Sequence, residues 1–377
     1  MKIGIITIQD SPNYGACLQT YALYEALKKL GGEVEVVDLR RPTHNDFKPS
    51  RKYKPYGIKK GLLHRLTTCL TPFKKQKSEL SSIAIERFEE FNSLIRYSRR
   101  YFKVDELYSE PPIYDVYVTG SDQCWNPSMK FCIEPYFLTF APSNSKKISY
   151  ATSIGGIELA KIIEDVYIKK LADYNYISVR EKSASEYLEK IINREVEQVD
   201  DPTFLLSADD WGKIYGNYKV DNPYILLFTL KQTPMLMEYA LKLSRQSGKN
   251  LVYLCLGMPH NQENNVIVIN DAGPAMFLSY IANADMIITD SFHGTALSII
   301  LGSKNFYSYV APTNKRGSRI SDMLDQFCLS SHMLDDNFLL SYEQLESNRI
   351  DRKGIEQLLS VERRRCFDYL RKAIYND

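Results

Sequence analysis

The sequence predicts an α/β protein made of two doubly wound, Rossmann-like domains, and three observations carry that expectation. Apolar runs of strand length alternate with helix-like patterns along most of the chain. At 377 residues the chain is too long for one ordinary core. The alternation breaks at Asp200-Asp201-Pro202-Thr203 and restarts after Asn222-Pro223. The expected layout is residues 1–210 as a first domain with a basic helical excursion at about 45–80, 220–340 as a second domain, and 341–377 as a helical tail.

Residues 3–8 are a buried-strand run, and 16–30 form a helix stopped by Gly31-Gly32. A strand at 34–38 completes the first strand–helix–strand unit. Residues 83–95 and 182–192 have helical patterns, and 116–119, 148–152 and 176–179 read as short strands. In the second series, strands are expected at 224–229, 251–256, 266–269, 286–289 and 306–310. Helices are expected at 235–246, 275–283, 295–301 and from about 320. The charged tail from 341 to 375 reads as helix, and the chain contains no internal repeat.

Composition narrows the function classes. Hydrophobic residues at 44% and charged residues at 25% are those of a soluble globular protein. A net charge of +2 argues against a general nucleic-acid binder. No apolar run approaches the ~20 residues needed to span a bilayer, and the first strand is too short for a secretory signal, so a cytoplasmic protein is expected. Seven cysteines without paired metal spacing fit reduced thiols, and Cys124 and Cys132 lack histidine partners, so no metal site is expected. One stretch is exceptional: residues 48–78 hold ten lysines and arginines and no acidic residue. Ile58, Leu62, Leu63, Leu66 and Leu70 recur there at helical spacing. Such a segment either packs as a solvated surface helix or rests on the inner face of an anionic membrane.

In doubly wound sheets, ligands sit beyond the carboxyl ends of strands. That rule selects residues 10–15, 119–125, 152–156, Arg180 and 290–295. The loop Asn13-Tyr14-Gly15 opens a helix, where free amides favour an anion, although an ordinary capping turn has the same composition. Ser121-Asp122-Gln123 with Trp125 and Asn126 offers carboxylate, amide and indole groups to a sugar, or else is a turn anchored by its tryptophan. Arg180 emerges from a strand and can clamp a carboxylate or phosphate, or pair with Glu181. Asp290-Ser291-Phe292-His293-Gly294-Thr295 puts one of only five histidines at a strand–helix seam. His293 there is either a general acid facing a bound anion or a structural turn residue. Lys315, Arg316 and Arg319 form a further candidate anion site or a plain basic turn.

Taken in order, these segments resemble the polysaccharide pyruvyl transferase family. The resemblance rests on Asn13-Tyr14-Gly15 with Leu18-Gln19, the block from Gly120 to Asn126, and Ser178-Val179-Arg180-Glu181. It continues through Asp201-Pro202-Thr203, the block from Asp290 to Thr295, and Lys315-Arg316 with Arg319, covering roughly residues 3–325. The resemblance implies a GT-B-like arrangement with the active site between the domains. It implies transfer of the pyruvyl group of phosphoenolpyruvate onto two hydroxyls of one sugar, giving a cyclic ketal in capsular, exopolysaccharide or cell-wall biosynthesis. His293 would then be the general acid, with Asp122 or Asp290 as base. Arg180, Lys315, Arg316, Arg319 and the Asn13–Gly15 loop would hold phosphoenolpyruvate, and the Ser121–Asn126 block the acceptor. That acceptor would be a nucleotide-linked or lipid-linked saccharide, for example a galactose-containing one. No metal or organic cofactor is implied. A nucleotide-sugar glycosyltransferase and a non-catalytic sugar-binding protein are the competing expectations.

Overall fold

The computed structural model describes residues 1–9, 12–56, 80–216, 218, 220–230, 233–257, 266–311 and 318–376. The first series runs β1 (Lys2–Ile6), α1 (Tyr14–Lys29), β2 (Glu33–Leu39), α2 (Ser82–Asn92), β3 (Tyr97–Tyr101), α3 (Val104–Ser109) and β4 (Val116–Thr119). It continues through β5 (Lys146–Ser149), α4 (Ile157–Ala160), α5 (Glu164–Leu171), β6 (Ser178–Val179), α6 (Lys182–Ile192) and β7 (Glu197–Gln198). Strands β1 to β5 form a parallel sheet in the order β3-β2-β1-β4-β5. Strand β6 pairs with β7, and a bridge from Thr152 to Val179 ties it to the chain leaving β5.

A linker carrying α7 (Ala208–Gly212) follows. Ser207 and Asp210 close a capping box at its start, and buried Trp211 plugs it into the core. The second series is β8 (Tyr224–Phe228), α8 (Pro234–Ser247), β9 (Asn250–Leu254), β10 (Val266–Ile269), α9 (Pro274–Asn283) and β11 (Met286–Thr289). Then come α10 (Phe292–Ile300), β12 (Phe306–Tyr309), α11 (Ser318–Gln326), β13 (Met333–Leu334), α12 (Tyr342–Ser347) and α13 (Arg352–Tyr375). Its parallel sheet has the order β10-β9-β8-β11-β12-β13. Both predicted domains are therefore present as parallel sheets wound in opposite directions from a central pair. The strand order reverses at β1/β4 and at β8/β11, which is where a ligand crevice opens.

Two elements depart from expectation for identifiable reasons. Strand β3, Tyr97-Ser98-Arg99-Arg100-Tyr101, has no apolar alternation because it is an edge strand, and its charges discourage pairing with another chain. The expected tail does not stand apart. Helix α13 returns to the first domain, where Arg363 donates to the carbonyls of Phe204 (3.1 Å) and Leu206 (3.3 Å), and Tyr369 donates to that of Ser149 (2.8 Å). Cys366, Leu370 and Ala373 are buried there at the spacing of one helical face.

The domains share a continuous core. Tyr14, at the start of α1, stacks on Phe277 of α9 with ring centroids 4.3 Å apart, and its hydroxyl donates to the Ala272 carbonyl at 2.9 Å. Tyr14 is thus an interdomain clamp; fully packed, it has no face left for the phosphoenolpyruvate contact expected from sequence. No described helix is long and apolar enough to cross a membrane. All six described cysteines are free thiols. Of the basic excursion, residues 57–79 lie outside the described residues, so its helical face does too.

Candidate active site

Helix α1 follows β1, helix α10 follows β11, and their first turns meet across the crevice. Asn13 caps α1 by accepting from the Ala16 amide at 3.2 Å. Ser291 caps α10 by accepting from Gly294 at 3.2 Å, and the Thr295 hydroxyl bonds Ser308 at 2.7 Å, fixing α10 on β12. His293 is consequently held on a rigid first turn with its ring lying over Gly15. A Cβ on Gly15 would sit 2.1 Å from His293 Nδ1 and 2.5 Å from Cε1, so only glycine admits the imidazole. The sequence placed the Asn13–Gly15 loop against an anion; the group that closely approaches Gly15 is His293. We expect Gly15→Ala to lower turnover by about 100-fold by displacing the ring, with unchanged far-ultraviolet circular dichroism, because alanine suits a helix interior. Steady-state kinetics on the two proteins checks this.

The Nε2 edge of His293 meets Asp201, in the loop after β7. Asp201 is fully buried, and its Oδ2 lies 3.6 Å from His293 Nε2, 2.8 Å from Arg180 Nη1 and 3.4 Å from the Ser121 hydroxyl. Its Oδ1 accepts from the amide and hydroxyl of Thr203 at 3.1 and 2.9 Å. Burial alone would raise its pKa. His293, Arg180 and the Thr203 amide outweigh burial and hold the carboxyl well below the usual range. Asp201 therefore joins the two sequence-predicted residues of greatest interest, and its chemistry was not visible in the sequence.

Arg180 is buried rather than exposed beside Glu181. Its Nε donates to Glu181 at 3.2 Å, and Nη2 lies 4.0 Å from Asp122. Burial works against its charge, but Glu181, Asp201 and Asp122 prevail and keep it protonated well above its ordinary pKa. Arg180 Nη2 and His293 Nε2 have no hydrogen-bond partner, and the acceptor Glu181 Oε2 receives no donor. A buried donor without an acceptor costs about 1–3 kcal/mol, so these atoms mark a place made for a ligand. The two-pronged clamp expected of Arg180 is not available, because Nη1 and Nε are already engaged. One donor remains.

Phe292 lies between two guanidinium groups, with Arg180 Cζ 4.8 Å and Arg319 Cζ 5.6 Å from its ring centre. Arg319 also lines a cleft of about 390 Å³ of empty space with Gln123, Glu181 and the Gly155-Gly156 turn. Gly155 has φ +77°, and a Cβ there would strike the Asn126 amide at 2.3 Å. Arg319 and Gln123 thus line one cleft. Lys315 and Arg316 lie outside the described residues.

The rest of the 121–126 block is corrected. Trp125 is fully buried, stacks on Phe137 at 5.7 Å and donates to the Tyr136 carbonyl at 2.9 Å, so neither ring face can meet a sugar. Ser121 and Asn126 are also fully buried. The Ser121 amide donates to Gln19 Oε1 at 3.2 Å, and Gln19 is itself held by Thr7 at 3.1 Å. These residues are internal and leave no surface for an acceptor; of the block only Gln123 lines the cleft, while Asp122 is partly exposed beside Arg180. Asp290 uses Oδ1 to accept the Leu230 amide at 2.7 Å, tying the β8 loop to the β11 loop. Among the described residues no group of three His, Cys, Asp or Glu side chains is placed to share a metal ion.

The neighbouring Asp200 behaves oppositely to Asp201. Burial pushes it up to about 6, although Gln326 donates to it at 3.1 Å. The native state binds this proton more tightly than the unfolded chain, so the cost of ionising it is present above pH 6 and vanishes as pH falls towards the unfolded value of 3.8. Asp200→Asn should raise the melting temperature at pH 8, with the difference from wild type closing on acidification. Thermal melts across that range check it.

Against known proteins, the family model for polysaccharide pyruvyl transferase matches residues 13–306. Several solved structures share the fold. Arabidopsis thaliana UGT89C1 complexed with UDP-L-rhamnose is 11% identical over 98% of each chain, with a TM-score of 0.53. A UDP-GlcNAc 2-epimerase from Methanocaldococcus jannaschii is 13% identical over 96% of this chain and 99% of its own, with a TM-score of 0.51. A putative UDP-N-acetylglucosamine 2-epimerase from Listeria monocytogenes is 10% identical over 100% of this chain and 97% of its own, with a TM-score of 0.52. The architecture is that of GT-B glycosyltransferases and epimerases, as the sequence implied. No curated protein matches the chain in sequence.

Proposed function

The chain belongs to the polysaccharide pyruvyl transferase family, and on that premise we propose that it moves the pyruvyl group of phosphoenolpyruvate onto two hydroxyls of one sugar. The observation that carries the proposal is the convergence of His293 and Arg180 on one buried carboxylate, Asp201, with His293 Nε2 and Arg180 Nη2 left without a hydrogen-bond partner. Phosphoenolpyruvate brings a carboxylate and a phosphate, and its reaction needs a proton delivered to carbon.

In this mechanism Arg180 Nη2, Arg319 and the amide-rich starts of α1 and α10 hold the two anionic groups. Lys315 and Arg316 belong to the same binding set by their place in the sequence. His293, positioned by Asp201, protonates the methylene carbon and makes it a methyl group. The adjoining carbon becomes oxocarbenium-like and is attacked by the first sugar hydroxyl, whose proton passes to a carboxylate. Asp122 is assigned that role ahead of Asp290, because Asp290 already accepts the Leu230 amide. The second hydroxyl then replaces the phosphate at the same carbon, its proton leaving with inorganic phosphate, and the cyclic ketal closes. The chemistry requires neither metal nor organic cofactor. The acceptor enters past Gln123 and the Gly155-Gly156 turn, in the assembly of a capsular, exopolysaccharide or cell-wall polymer.

The test is incubation with phosphoenolpyruvate and a panel of galactose-, glucose- and mannosamine-type acceptors, reading phosphate release and product mass. One phosphate per pyruvylated sugar is the expected result. Indifference to phosphoenolpyruvate, with nucleoside diphosphate released from a nucleotide sugar, would establish a glycosyltransferase instead.

A further inference from the structure

A second pocket opens at the carboxyl end of β2, where the chain leaves the sheet as Arg40-Arg41-Pro42. Its empty volume is about 590 Å³, and Arg40, Arg41, Lys54 and Lys130 line it with no aspartate or glutamate among the lining residues. The cations are not equivalent. Arg40 is engaged by Asp38 at 3.5 Å and Asp46 at 3.2 Å. Arg41 is 5% exposed and has no carboxylate partner among the described residues; its Nη2 donates to the Gln9 carbonyl, and its guanidinium lies 5.7 Å from the Phe131 ring. Its Nε is buried with no acceptor, and so is the hydroxyl of Tyr136, which is fully buried in the same wall. Two unsatisfied buried donors, beside two lysines with no carboxylate partner among the described residues, would be costly in an empty pocket, and an oxygen-rich anion satisfies all of them.

The position is informative as well. Strands β2, β1 and β4 are adjacent and parallel. The pocket after β2 therefore opens on the same edge as Gly15 after β1 and Asp122 after β4. Two strand spacings, about 10 Å, separate the ends of β2 and β4, a gap on the scale of a sugar together with its linking phosphate.

We propose that this pocket binds the phosphate or diphosphate through which the acceptor sugar is joined to its carrier. The assignment rests on the pyruvyl-transfer proposal, because it takes the pocket as an extension of that site. A nucleotide carrier and an isoprenoid lipid carrier share this chemistry.

The experiment is calorimetric titration of the full chain with inorganic pyrophosphate, UDP-N-acetylglucosamine, farnesyl diphosphate and, separately, phosphoenolpyruvate. Lys54→Ala/Lys130→Ala should weaken pyrophosphate binding by about tenfold or more while phosphoenolpyruvate binds as to wild type. Arg41→Lys, which keeps the charge and removes Nε, should weaken pyrophosphate in the same direction. The tighter of the two esters identifies the carrier. No pyrophosphate binding by wild type, equal binding by the double variant, or displacement of pyrophosphate by phosphoenolpyruvate would each overturn the proposal. If pyrophosphate binds as stated but phosphoenolpyruvate is never consumed, the pocket stands and the pyruvyl-transfer proposal falls.

Discussion

Replacing His293 with alanine should lower pyruvyl transfer by about 100- to 10,000-fold, the usual contribution of a positioned general acid. The protein should stay folded. The side chain is partly exposed at the cleft, and the helix cap depends on Ser291, not on His293. His293→Gln should be as inactive as the alanine variant, because it restores shape without a transferable proton. Phosphoenolpyruvate binding should weaken far less than turnover in both variants, since the anion is held mainly by guanidinium groups and helix starts. A variant that loses binding and keeps turnover at saturation would make His293 a phosphate ligand and not the acid.

The second large effect falls on stability as well as activity. Arg180→Ala removes the 2.8 Å partner of a fully buried carboxylate. Breaking a buried pair from one side costs about 3–5 kcal/mol, because the remaining charge stays uncompensated. Asp201 is also the group whose pKa is held low, so its contribution is present above the unfolded value of 3.8 and is lost as pH falls below it. Arg180→Ala should therefore lose most stability near neutral pH and little in acid. Arg180→Met/Asp201→Asn should recover much of the loss, since neither charge is then left alone, yet remain inactive. Denaturant melts of the single and double variants separate these outcomes. If Arg180→Ala melts like wild type at neutral pH, the buried pair is not the support of the site described here.

Much of the fold was legible because parallel strands buried on both faces are written as short apolar runs, such as Met286 to Thr289, which has the bounds expected for it. Strand β3 was not, because an edge strand is stabilised by one neighbour and tolerates Arg99 and Arg100. The return of α13 to the first domain was also hidden, since a helical face does not say which surface it covers. At the site, position after a strand selected His293, Arg180, Asp122 and Gly15, and a basic cluster selected Arg319. The same rule selected Tyr14, Ser121 and Trp125, and Asn126 was added beside them; their polar or aromatic character serves packing and internal hydrogen bonds. Asp201 entered only as part of the resemblance and was given no role, because it follows a two-residue strand where the alternation breaks and a carboxylate reads as turn chemistry. Its partnership with Arg180, 21 positions away, forms within the first domain, and that with His293, 92 positions away, exists only where the two domains meet.

The most direct test of pyruvyl transfer by carbon protonation is to run the reaction in deuterium oxide with a competent acceptor and follow it by nuclear magnetic resonance. The account predicts a ketal whose methyl group carries a single solvent-derived deuteron, formed in step with inorganic phosphate, and abolished in His293→Ala. A product whose pyruvate-derived carbon carries no deuteron, or a transfer that proceeds without phosphoenolpyruvate, would contradict it.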